Sequence, residues 1–84
     1  MTERTLDARW LEPPEPMELT LAAIDSLEPG EHLRLLIHRT PHMLFPILKE
    51  WGFNYRTHAN DDGTHEILIW HKGQAAPGGD PGPS

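Results

Sequence analysis

Cysteine is absent from the 84 residues, which removes disulfides, thiolate metal ligands and thiol or persulfide chemistry from anything this chain does with its own side chains. Long apolar runs are absent too. No segment approaches the roughly 20 residues that a bilayer crossing needs, and Met1-Thr2-Glu3-Arg4 carries no apolar signal core. The expectation is a soluble cytoplasmic protein with no membrane partner. Basic residues are scarce, 7 Lys and Arg against 13 Asp and Glu for a net charge of −6. Nucleic acid and anionic membranes are repelled at long range by such a balance and are not expected partners. There is no glycine-rich phosphate loop and no Gly-x-Ser-x-Gly elbow. The two serines, Ser26 late in a helical stretch and Ser84 at the terminus, do not build a Ser-His-Asp arrangement.

What is present points to one small domain, near the size at which a single core is only just sufficient. Its charge is unevenly spread. Eight acids accompany only Arg4 and Arg9 up to Glu31, whereas Arg34, Arg39, Lys49 and Arg56 face only Glu50 between residues 32 and 60. Thr5 to Arg9 alternates apolar and polar residues and predicts a short strand. Pro13-Pro14-Glu15-Pro16 follows, and proline is tolerated where a helix begins because its missing N–H has no intrahelical partner there. A helix from Pro14 to Leu27 follows, with Met17, Leu21, Ile24 and Leu27 as its buried stripe, stopped by Pro29-Gly30.

His32 to His38 reads as an internal strand. The second helix has Leu44, Ile47, Leu48 and Trp51 as its stripe, and starts at Thr40-Pro41 with Thr40 as N-cap. Pro46 then requires either a kink or a regular helix that begins nearer Leu44. Gly52 closes it. Phe53 to Asn60 and Thr64 to His71 form a hairpin about Asp61-Asp62-Gly63. A three-residue loop with left-handed Gly63 keeps the faces distinct, opposing Tyr55 to Ile67 and Phe53 to Ile69 on one face. The other face sets Asn54, Arg56 and His58 against Trp70, Leu68 and Glu66. Residues 1–72 form the domain, and 73–84, mostly Gly, Pro and Ala, read as a disordered tail.

The order β-α-β-α-β-β predicts an α/β fold of the α+β type: a two-layer sandwich in which a four-stranded mixed sheet carries both helices on one face. Leu6-Asp7-Ala8-Arg9, then Pro13-Pro14-Glu15-Pro16, then Pro29-Gly30-Glu31 resemble the TusA/SirA-like sulfur-carrier superfamily, whose run is Leu-Asp-x-Arg-Gly-x-x-Cys-Pro-x-Pro. The resemblance spans residues 5 to about 72. It implies that Asp7, Arg9, Pro13, Pro14, Glu15 and Pro16 are the motif region and that the last strand runs against the others. Pro13 stands where the family has its sulfur-carrying cysteine, and Trp10 where it has glycine. The chain looks like a cysteine-less, uncharacterised bacterial branch, with Gly52-Phe53 after the second helix, and the sulfurtransferase activity does not carry over.

Two functional expectations follow. The first is a non-enzymatic adaptor, monomeric or homodimeric, that binds a protein partner through the Pro13 to Pro16 edge or through the uncovered sheet face, where Arg34, Arg56 and Leu68 lie beside an exposed Trp70. No cofactor is expected on this reading. The second is a metal- or haem-binding accessory protein in which His38, His42, His58 and His65, at the carboxyl edge of the sheet, take zinc, copper or iron. Met43, nearby, either packs or faces solvent.

Overall fold

The computed structural model describes residues 2–12, 15–39 and 41–74. The motif prolines Pro13 and Pro14, the expected N-cap Thr40 and the expected tail from residue 75 onward lie outside them. Four strands and two helices follow in the expected order. They are β1 (Thr2–Asp7), α1 (Glu15–Asp25), β2 (Glu31–Ile37), α2 (Leu44–Glu50), β3 (Phe53–Ala59) and β4 (His65–His71). The sheet order is β1-β2-β4-β3, with β1 parallel to β2 and β4 antiparallel to both of its neighbours. Ile24 of α1 and Leu44 and Leu48 of α2 share one core with Leu33, Leu35, Ile67 and Ile69, so both helices lie on the same face.

β1 begins and ends earlier than the expected Thr5 to Arg9. Its first residues are polar and show no apolar alternation; pairing with Glu31–Leu36 of β2 makes them a strand. It ends where Arg9 folds back. The Arg9 backbone N–H donates to Asp7 Oδ1 at 3.1 Å, while its guanidinium grips both carboxylate oxygens at 2.9 and 2.8 Å. This bidentate fork holds the Asp7 carboxyl down from an ordinary 3.8 to about 2 and raises Arg9 in turn.

α1 buries Pro16, Thr20 and Ile24, spaced by four, with Leu27 just beyond its end, while Met17 and Leu21 are half-buried. The seam is therefore rotated from the expected one. Thr20 sits on it because its hydroxyl donates to the Pro16 carbonyl at 2.8 Å, and among the described residues no buried side-chain polar atom is unsatisfied. Acidic Glu15 and Glu18 lie in the first turn, where the helix dipole favours them.

α2 begins at Leu44 rather than at Thr40-Pro41, which places Pro46 in its first turn, where no kink is required. Leu44 and Leu48 form its buried seam. Trp51, expected on that stripe, is the C-cap residue and 48% exposed, because the helix has only two turns and stops short of carrying it back to the core.

The hairpin has the three-residue loop: the Asn60 N–H donates to the Thr64 carbonyl at 2.8 Å, and Gly63 has φ +88°. Asn54, Arg56 and His58 oppose Trp70, Leu68 and Glu66 as expected. On the other face the pairs are Tyr55 with Ile69 and Phe53 with His71, two residues away from the expected partners. Every residue keeps its face, because a shift of two preserves the side-chain alternation.

Candidate functional site

The uncovered face of the sheet is closed by its own side chains. Glu3 of β1 accepts from Arg34 at 3.1 Å and bonds the His32 ring at 2.9 Å, and Arg34 also grips Glu66 of β4. Arg34 first, then His32, lowers the Glu3 carboxyl from its ordinary value, and Glu3 raises Arg34. Trp70, expected to be exposed, is only 8% accessible. It lies on interior strand β4, with His32 beside it on β2 and Asn54 on β3, and the Arg56 guanidinium stands 5.9 Å from its ring centre. Leu68 is half-buried. These residues form a satisfied surface, and the exposed tryptophan of the expectation is corrected to a covered one.

The four histidines occupy the carboxyl edge of the sheet but are separated by its faces. His58 opposes Glu66 on the uncovered face, whereas His65 pairs with Ile37 and Ala59 on the helix side. His42 packs edge-on against Phe45 at 6.5 Å. His38 is engaged by Trp10. Among the described residues no group of three or more histidine and acidic side chains converges with metal-holding geometry.

A concave site does form at that edge, where the β1–α1 connection meets the β2–α2 connection. This placement matches the crevice outside the carboxyl ends of the strands where open α/β sheets receive ligands. Leu11, Met17 and Thr20 line one wall and Ile37, Pro41 and Leu44 the other, enclosing about 430 Å³. Its lining is overwhelmingly apolar. Met43, 77% exposed, stands on its rim. Beside it lies a shallower, polar hollow of about 510 Å³ between Trp10, Glu12, His38 and Arg39.

Trp10 is the unusual residue here. It is 73% exposed, and its backbone is left-handed at φ 69°, a conformation that costs any residue but glycine free energy and that is rare for a bulky one. Two contacts hold it. Its backbone N–H donates to His38 Nδ1 at 3.0 Å, and its indole stacks on the His38 ring at 5.3 Å between centres and 26° between planes. A backbone N–H can only donate, so His38 Nδ1 is the acceptor and the ring proton sits on Nε2. Arg39 is exposed at the same mouth and makes no hydrogen bond or ion pair among the described residues.

Of the residues expected to matter, Asp7 and Arg9 shape the turn that delivers Trp10. Pro16 lines the cleft, and Glu15 is exposed in the first turn of α1. His38 and His42 both line the cleft. Trp10 and Met43 are not among the site residues that the sequence suggests, and Arg39 enters there only as a neighbour of the histidine edge. The one available signal was tryptophan standing where the resembled pattern has glycine. Residues 5–71 match a family model described as an uncharacterised conserved protein, DUF2249. No curated protein and no solved structure matches the chain.

Proposed function

We infer that the chain, which belongs to the DUF2249 family of uncharacterised conserved proteins, is a non-enzymatic adaptor that docks a protein partner at the carboxyl edge of its sheet. The observation that carries this reading is the apolar cleft of about 430 Å³ with exposed Met43 on its rim and exposed Trp10 in the adjoining hollow. Large apolar side chains held in water around an apolar concavity mark an interaction site, because contiguous patches of that kind are uncommon on surfaces that stay solvated. The uncovered sheet face is the weaker candidate, since Glu3, Arg34 and Glu66 already satisfy one another and Trp70 is covered.

Kinship with the TusA/SirA-like sulfur carriers belongs to the same proposal. It is supported by Leu6-Asp7-Ala8-Arg9 and Pro13-Pro14-Glu15-Pro16 in sequence, and by the left-handed backbone of Trp10 at the position where that pattern carries glycine. On this reading the edge once used for a reactive sulfur is kept for docking alone. No thiol remains to react.

Affinity capture from an extract of the source cells, with wild-type, Met43→Asp and Lys49→Ser proteins as bait, tests the reading. Partners recovered with wild type and the Lys49 variant but lost with Met43→Asp are the expected result. An unchanged set of partners across all three baits would overturn it.

A further inference from the structure

The geometry points to the carboxyl-terminal residue of a partner chain as the occupant of the edge cleft, its apolar side chain inserted between Met17 and Leu44 and its terminal carboxylate received by Arg39 and His38. This rests on the docking reading above and specifies its partner chemistry.

Two groups at the mouth call for an anion. Arg39 presents a guanidinium with no acceptor among the described residues. His38 is forced into the tautomer that carries its proton on Nε2, because its Nδ1 accepts from the Trp10 backbone N–H. That second donor also has no partner among the described residues. Both side chains line the apolar cleft and the polar hollow beside it, so a carboxylate there lies next to an apolar wall.

Charge complementarity also limits the ligand. Glu12 stands on the polar hollow with Arg39 and His38 and opposes any anion there, more strongly the greater its charge, which favours one carboxylate over a phosphate or an acidic run. An acidic residue followed by an apolar one inside an extended segment projects the two side chains to opposite sides. A chain end differs, because its last residue carries the carboxylate and the apolar side chain on one Cα. Capture of a terminal carboxylate beside a side-chain pocket is an established mode of peptide recognition.

Titration of the nitrogen-15-labelled protein with hexapeptides of alternating glycine and serine that end in leucine tests this by NMR. The free-acid peptide is expected to give saturable shifts at the Trp10 indole N–H, the Arg39 side-chain N–H and the Met43 backbone amide. Amidation of its terminus is expected to weaken binding about tenfold, the loss of one charge-assisted pair, and Arg39→Gln to abolish the difference between acid and amide. Equal binding of acid and amide would overturn the assignment. Free 4-methylpentanoate binding as tightly as the peptide would also overturn it, giving the cleft to a small carboxylate. If Met43→Asp loses partners in the capture experiment while no peptide shifts these signals, the chain-end assignment fails and the docking reading stands. If neither responds, both fail.

Discussion

Substituting Trp10 separates the backbone strain at the site from the side-chain contacts that hold it. Alanine and glycine both remove the indole and its stack on His38, while both keep the backbone N–H that His38 accepts. The two variants therefore differ only in what their backbones tolerate at φ 69°. A left-handed conformation costs an L-residue roughly 1–2 kcal/mol that glycine does not incur. Glycine gives back about 0.4–1 kcal/mol of that through the greater freedom of its unfolded chain. The balance leaves Trp10→Gly more stable than Trp10→Ala by about 0.8 kcal/mol, or roughly 3–6 °C in melting temperature for a domain of this size. Relative to wild type, the alanine variant loses the aromatic stack, about 1 kcal/mol, and recovers nothing. The glycine variant stays within about 0.5 kcal/mol of wild type, because the indole is mostly in water and little burial is lost. Paired urea titrations with a common slope measure both quantities. An alanine variant as stable as the glycine one would refute the strain at this residue.

Leu35, fully buried on interior strand β2, is expected to cost about 2–5 kcal/mol when cut to alanine, lowering the urea midpoint by about 2 M; a shift under about 0.5 M would place the core elsewhere. Acid should weaken the fold through Asp7 and Glu3, whose carboxyls are both lower than ordinary in the folded chain. Such groups contribute stability that is fully present above their ordinary values of 3.8 and 4.5 and is lost as pH falls, for Asp7 through about 2. The Asp7→Asn, Glu3→Gln double variant should therefore be less stable than wild type above about pH 5 and converge with it in stronger acid. A stability gap that does not change with pH would remove both carboxylates from the account.

The period of the apolar residues determined the element order on its own. Leu33, Leu35 and Ile37 alternate, Ile24 and Leu27 recur at helical spacing, and proline and glycine mark the boundaries, so the two-layer sandwich follows from local chemistry. The family is likewise readable from the stretch running from residue 5 to 71. Pairing decided the rest. The polar start of β1 is a strand only because β2 lies beside it, and the hairpin partners on the helix face moved by two residues without changing faces. Trp70 looks like a docking residue in one dimension and is covered in three, because a position on an interior strand receives long side chains from both neighbours. Trp10, Arg39 and Met43 come together from two connections far apart in sequence. A one-dimensional pattern records which residues prefer water, but only the folded backbone determines which loops meet and which donors are left facing the gap between them.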